Sequence, residues 1–279
     1  MIAIRNAVLA AFVATALAGT AWAEPTTLSA AADTKEYTPE VGQAGKDVVW
    51  VPTPQSLVDA MLDMAKLTAD DYLIDLGSGD GRTVITAAKR GARAHGIEYN
   101  PDMVEISKRA AEAEGVSERA TFEQADIFES DFSDATVISL FLLPNLNLKL
   151  RPIILDMAPG TRVVSNSFDM SDWEPDDKVH VQESDCNAYC RGYKWIVPAK
   201  VEGTWALDNG ATLQLAQKYQ MLSGTLTHDG GNSDITEARM TGADITFTDA
   251  SGTVWTGRVD GDRMEGTNDA GQAWTATRD

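Results

Sequence analysis

The sequence predicts an α/β domain built on a largely parallel sheet, followed by a smaller all-β domain. Three observations carry that reading. From residue 47 to 198, short apolar runs alternate with amphipathic helical stretches, the pattern of a parallel sheet covered on both faces. The first of those runs ends in Gly77-Ser78-Gly79-Asp80-Gly81, immediately before a helical segment. Beyond Pro198 the texture changes to short alternating runs separated by turn residues, which predicts a meander or small barrel over 199–279.

The elements follow in chain order. Arg5 precedes an apolar run from Ala7 to Gly19, and Ala21-Trp22-Ala23 follows it. A charged start, a short apolar stretch and an A-x-A site mark residues 1–23 as a secretory signal cleaved after Ala23, so the protein is expected to be exported to the periplasm. An uncleaved membrane anchor is the alternative. Residues 24–46 are polar and aperiodic, a leader or lid. Thr53-Pro54 reads as a helix cap followed by proline at the first helical position, with Leu57, Val58, Met61, Leu62 and Ala65 on one face. Tyr72–Leu76 is a strand, and a helix over Thr83–Arg90 is stopped by Gly91. Ala94–Glu98 is the second strand. Asn100-Pro101 opens a helix whose Met103, Ile106, Ala110 and Ala113 are spaced for burial.

Further strands are expected at Ala120–Gln124, Thr136–Leu142 and Arg162–Ser167, with a helix at Leu146–Met157. Lys178–Gln182 and Tyr193–Val197 are two further strand-like runs, expected to pair as an antiparallel hairpin closing the sheet's edge. In the last segment, Thr212–Leu215 and Ile245–Thr248 alternate, and Asp208-Asn209-Gly210 and Ser251-Gly252 mark turns. Trp205 and Trp255 are core candidates there. Asp260-Gly261-Asp262 lacks the acidic spacing of a calcium loop and reads as a turn.

Charge narrows the function. Forty-two acidic residues face 23 basic ones, a net charge of −19. Such a surface repels phosphate backbones, so nucleic acid is excluded as the expected partner, and cationic proteins or small neutral molecules are favoured. Two cysteines and three scattered histidines (His95, His180, His228) leave little for a zinc site or a histidine triad, and no metal is expected. After the signal segment no run approaches the ~20 apolar residues of a membrane helix, so stable membrane insertion of the mature protein is not expected. Cys186 and Cys190 fit a disulfide in an oxidising compartment, and two reduced buried thiols fit the spacing as well.

The glycine turn is the sharpest signal. Gly77, Gly79 and Gly81 let the backbone turn tightly and approach a ligand at the carboxyl edge of the sheet. A dinucleotide fingerprint needs a small residue at position 82, where this chain has Arg82, and no G-K-[ST] follows to make a P-loop. Glu98 ends the second strand, where a carboxylate accepts hydrogen bonds from ribose hydroxyls. Asp126 follows the third strand and is placed to receive an adenine amino group. A nucleoside ligand without phosphates fits this set, and S-adenosylmethionine is such a ligand.

Asp75-Leu76-Gly77-Ser78-Gly79-Asp80-Gly81, Glu98 and Asp126-Ile127 resemble the first motif, the ribose acid and the adenine-side motif of the class I S-adenosylmethionine-dependent methyltransferase family, over about residues 47–198. The resemblance implies a Rossmann-like seven-stranded sheet that accounts for the extra hairpin. It also implies S-adenosylmethionine as cofactor, bound by Asp75, Gly77, Ser78, Gly79, Gly81, Glu98, Asp126 and Ile127. Within the class, Val51-Pro52-Thr53-Pro54, Asp75–Arg82 and Glu98-Tyr99-Asn100-Pro101 are similar to the small protein-lysine methyltransferases acting on mitochondrial carriers and the ATP synthase c-ring. Leu142-Leu143-Pro144-Asn145 departs from the [DN]-P-P-[YF] pattern of enzymes that methylate amino groups of nucleic acid bases and glutamine.

The implied function is methyl transfer to a protein side chain, lysine first. A non-catalytic exported nucleoside-binding module and a small-molecule methyltransferase are the alternatives. In-line transfer asks for alignment more than acid–base help, so no residue is assigned as a chemical base. Trp50, Pro52, Thr53, Phe141, Pro144 and Trp173 are the substrate-side candidates.

Overall fold

A computed structural model describes residues 37–228 and 231–278; the signal-like segment 1–23 and residues 24–36 of the leader lie outside the described residues. The first part of the chain runs α1 (Gln55–Met64), β1 (Tyr72–Leu76), α2 (Arg82–Lys89), β2 (Arg93–Glu98), α3 (Pro101–Ala113), β3 (Ala120–Gln124), β4 (Val137–Leu140), α4 (Pro144–Leu155), β5 (Arg162–Asn166), β6 (Asp177–His180) and β7 (Arg191–Ile196). Seven strands form one mixed sheet in the order β3-β2-β1-β4-β5-β7-β6. The first five pair in parallel, and β7 runs antiparallel to both β5 and β6.

Alternation along the central strands sends side chains into two separate apolar layers. Leu73 and Val137 pack with Leu57, Met61 and Val84 on one face. Ile74 and Ile138 pack with Leu146, Leu150 and Ile154 on the other. Because both faces are covered, β4 is buried at every position, which is why its sequence shows no alternation.

Two local expectations are corrected. Thr53 does not cap α1: Pro54 occupies that position without a side-chain cap, and Thr53 is buried, with its hydroxyl accepting from Asn166 Nδ2 at 3.2 Å. On α3 the buried face is Met103, Val104, Ser107 and Ala111, whereas Ile106 and Ala110 are only partly covered and Ala113 is exposed. The helix is rotated so that the Ser107 hydroxyl donates to the Gly79 carbonyl at 3.1 Å, an interaction that an apolar periodicity does not reveal. The Asn100 cap is present, its side chain accepting from the Asp102 amide at 2.9 Å. Helix α4 starts earlier than expected, with Pro144 in its first turn.

The remaining strands are β8 (Gly203–Leu207), β9 (Thr212–Lys218), β10 (Met221–His228), β11 (Gly231–Asp234), β12 (Thr236–Thr241), β13 (Asp244–Thr248), β14 (Val254–Asp260), β15 (Arg263–Asn268) and β16 (Ala273–Arg278). They form an antiparallel meander in which β16 returns to β8 while β9 pairs with β10. Together with the β10–β12 contact this closes an eight-stranded barrel, leaving β11 folded onto β10 alone. Closure removes the exposed edges that an open meander would carry. Trp205, Leu213, Leu215, Met240, Phe247 and Met264 fill the interior. Trp255, expected in the core, is partly buried, and its indole N–H reaches Asp249 at 2.9 Å.

The barrel packs on the segment between β5 and β6. Tyr219 stacks on Trp173 with ring centroids 5.8 Å apart and donates its hydroxyl to Asp172 at 3.1 Å. Gln220 donates to the Glu174 carbonyl at 2.7 Å, and Arg239 pairs with Asp176 at 2.7 Å. Among the described residues no helix is long and apolar enough to cross a membrane.

Candidate active site

The carboxyl ends of the parallel strands converge on one cavity, and β1 delivers the glycine turn to it. The amides of Gly77 and Ser78 donate to the Ile97 carbonyl at 2.8 and 3.1 Å, which ties the turn to β2. Gly79 has φ +55°, and a Cβ there would lie 2.6 Å from the Trp50 indole nitrogen. Only glycine lets the Trp50 indole lie directly against the backbone at that point.

Glu98 closes β2 with both oxygens held by backbone. Its Oε2 accepts from the Gly79 amide and its Oε1 from the Asn100 amide, each at 2.9 Å. Asp126, just beyond β3, accepts from the Phe128 amide at 3.0 Å through Oδ1 and pairs through Oδ2 with Lys46. Arg82, the residue that rules out the dinucleotide fingerprint, is a clamp. Its guanidinium grips Asp80 at 2.6 Å and donates to the Thr53 carbonyl at 2.8 Å, fixing the Val51–Pro54 segment against the turn.

Charge in the site is uneven. Burial of Asp75 pushes its carboxyl up to about 7, and the negative fields of Glu98 and Asp80 add to the rise. Hydrogen bonds with Ser139 and Thr83 offset part of it; parallel register sets Ser139 beside Asp75. Asp126 moves the other way: its hydrogen bond with Lys46 and then the Phe128 amide hold it below the usual carboxylate range.

The cavity measures about 500 Å³. Its β3-β2-β1 half carries Asp75, Gly77, Ser78, Gly79, Glu98, Asp126 and Ile127; Gly81 lies behind the wall, packed between Phe122 and Ser107. Trp50, Pro52, Thr53 and Phe141 line the cavity as well. Two substrate-side candidates do not. Pro144 is exposed in the first turn of α4, outside the wall. Trp173 is fully buried, with its carbonyl accepting from Trp195 Nε1 at 2.7 Å, because the segment after β5 turns away from the cavity to meet the barrel.

Sequence reasoning missed Phe168, Tyr189 and Lys46, all of which line the cavity. Tyr189 stands between Cys186 and Cys190, which form a disulfide with Cα atoms 5.7 Å apart, so the cysteine pair was a signal for it. Phe168 and Lys46 had no local signal.

The residues present fit S-adenosylmethionine. Ser78 Oγ is buried and finds no hydrogen-bond partner among the described residues. The Glu98 carboxylate keeps free acceptor capacity beyond its two amide bonds, and Gly77, Ser78 and Gly79 line the same cavity beside it.

Comparison with known proteins agrees with this geometry. Residues 75–177 match the family model described as the ANTKMT methyltransferase domain. The chain is 41% identical over 143 residues to a protein-lysine N-methyltransferase of Saccharolobus islandicus, covering 50% of this chain and 89% of that one. It is 34% identical over 128 residues to the human ATP synthase C-subunit lysine N-methyltransferase, covering 46% of this chain and about half of the relative, 54%. A crystal structure described as an RNA methyltransferase from Salinibacter ruber, in complex with S-adenosyl-L-homocysteine, is 46% identical. It covers 54% of this chain and 96% of its own, with a TM-score of 0.50.

Proposed function

The chain belongs to the protein-lysine methyltransferases that use S-adenosylmethionine, and from that premise we propose that its acceptor is a lysine side chain of an exported or envelope protein. One observation carries the choice of acceptor. Beyond the cofactor residues, the β4-β5-β7 half of the cavity is walled by the aromatic rings of Phe141, Phe168 and Tyr189. Lysine must lose its proton before it attacks, and an apolar passage lowers the amine pKa by desolvation.

S-adenosylmethionine supplies a methyl group made electrophilic by its sulfonium. The chain's own residues bind, orient and exclude water. Glu98 would accept from the ribose hydroxyls, Asp126 would receive the adenine amino group, and the glycine turn would let backbone meet the nucleoside closely. Alignment of nitrogen, carbon and sulfur supplies most of the rate enhancement. The net charge of −19 favours a cationic protein acceptor and disfavours RNA. The signal-like residues 1–23 and the disulfide support function outside the cytoplasm.

The test follows label from S-adenosylmethionine carrying a tritiated methyl group into an envelope extract. Nε-methyl-lysine in the hydrolysed protein fraction is the expected product. Label confined to RNA or to organic-soluble material overturns the acceptor. Saturable cofactor binding without any transfer turns the reading to a binding module.

A further inference from the structure

We propose that Phe141, Phe168 and Tyr189 form an aromatic wall that meets the acceptor nitrogen as positive charge develops on it, and that the Cys186–Cys190 disulfide positions Tyr189 in that wall. The inference rests on the methyltransferase reading and names the feature of that same site which selects an amine.

The three rings pack against one another as one cluster that lines the cavity. Phe141 and Phe168 lie 6.2 Å apart at an interplanar angle of 24°. Tyr189 meets Phe141 edge-on at 5.4 Å and Phe168 at 6.1 Å. Each comes from a different place at the same sheet edge: Phe141 just after β4, Phe168 just after β5, Tyr189 just before β7. The strand order puts β3, β2 and β1, with Glu98 and the glycine turn, on one side of the cavity and these three on the other. The acceptor side of the cavity is therefore the side that these three rings line.

Tyr189 does not reach that position by ordinary packing. The residue is 44% exposed, and its backbone has φ +58°, a region that non-glycine residues rarely occupy and that recurs at functional sites. The Cys186–Cys190 bridge closes the short loop around it. Three contacts tie that loop and its flanks to the frame of the site. The Ser56 amide donates to Asp185 at 3.0 Å, the Val181 amide to the Cys190 carbonyl at 2.9 Å, and the Ser167 amide to the Arg191 carbonyl at 2.7 Å. Strain held in place by a covalent clip is the arrangement expected where a side chain must stay at a surface that packing alone would release.

The chemistry explains why aromatic faces suit this position. The neutral amine's lone pair forms the N–C bond as the C–S bond breaks, and positive charge passes from sulfur to nitrogen. The product ammonium then loses a proton to water, ready for another transfer. Ring faces attract the charge as it appears on nitrogen, and they attract methylated ammonium groups more than an uncharged group of the same shape.

The test uses the full chain saturated with S-adenosylhomocysteine. Two probes are titrated by NMR: Nα-acetyl-Nε-trimethyl-lysine amide and its neutral isostere, in which carbon replaces the terminal nitrogen. The charged probe is expected to bind about tenfold more tightly. Tyr189→Phe keeps that ratio. Tyr189→Ala loses it, and so does the double variant Cys186→Ser, Cys190→Ser. Equal affinities, no binding of either probe, or an unchanged ratio in Tyr189→Ala overturns the role of the aromatic wall. Loss in Tyr189→Ala with full retention in the cysteine variant overturns the role of the disulfide. S-adenosylhomocysteine affinity is measured alongside; its absence in the unmodified chain strikes the methyltransferase reading itself, separately from the aromatic wall.

Discussion

The Gly79 amide donates to Glu98 Oε2 at 2.9 Å, joining the turn after β1 to the carboxyl end of β2. Two features that stand far apart as motifs are therefore one preassembled unit. The carboxylate is oriented by backbone before any ligand arrives, so little ordering is left for binding to supply.

Replacing Glu98 by alanine removes the acceptor for the ribose hydroxyls and leaves the Gly79 and Asn100 amides unpaired. Affinity for S-adenosylmethionine is expected to fall by about 1.5–3 kcal/mol, the range for hydrogen bonds to a charged group. Calorimetric titration of the variant reads this directly, and an unchanged affinity removes Glu98 from the site.

Gly81→Ala tests the packing behind the turn. The residue has φ +78°, and a Cβ would meet Phe122 at 2.7 Å and Ser107 at 2.8 Å. Left-handed strain and overpacking together predict a loss of about 2–4 kcal/mol in unfolding free energy. Urea denaturation measures it, and a change within about 0.5 kcal/mol, as at an ordinary surface position, would contradict the packing.

Asp75 gives a pH dependence with a definite sign. Its carboxyl titrates near 7 in the folded chain, against an ordinary 3.8. Below 3.8 it is protonated in both states and costs nothing. Between 3.8 and about 7 the unfolded chain has released the proton and the folded chain still holds it, so stability falls as pH rises and levels off above that window. Stability measured against pH is expected to fall more steeply in the unmodified protein than in Asp75→Asn. Parallel curves would refute the assignment.

At the barrel contact, Arg239 pairs with Asp176, whose side chain is 8% exposed. Burial pushes the Asp176 carboxyl up, and the Ile196 amide together with the charges of Arg239 and Lys194 limits the rise. Arg239→Met leaves that carboxylate to the Ile196 amide and the charge of Lys194. A loss of about 1–3 kcal/mol is expected at neutral pH, because Arg239 is itself partly exposed. The loss should shrink in acid as Asp176 takes up a proton, and thermal unfolding at two pH values checks both parts.

Features set by local chemistry were legible in the sequence. The strand Tyr72–Leu76, the glycine turn, the Asn100 cap and the site acids Glu98 and Asp126 each follow from a few adjacent residues. What escaped depends on contacts between distant segments. Ser107 faces inward because it bonds to the Gly79 carbonyl across 28 residues. Thr53 turns from a cap into a partner of Asn166, more than a hundred residues on. Trp173 leaves the site because a later domain draws its loop away, whereas Phe168 and Tyr189 enter it because β7 inserts between β5 and β6. Barrel closure rests on pairing such as Trp205 with Arg278, which no alternating run can announce.

The most direct test of the central claim is a calorimetric titration of the chain from Glu24 onward with S-adenosylmethionine, S-adenosylhomocysteine and NAD. Saturable binding of the first two, with none of NAD, is the predicted result for a nucleoside-sulfonium site built on Gly77–Gly81 and Glu98. Binding of NAD, or of none of the three, would contradict it.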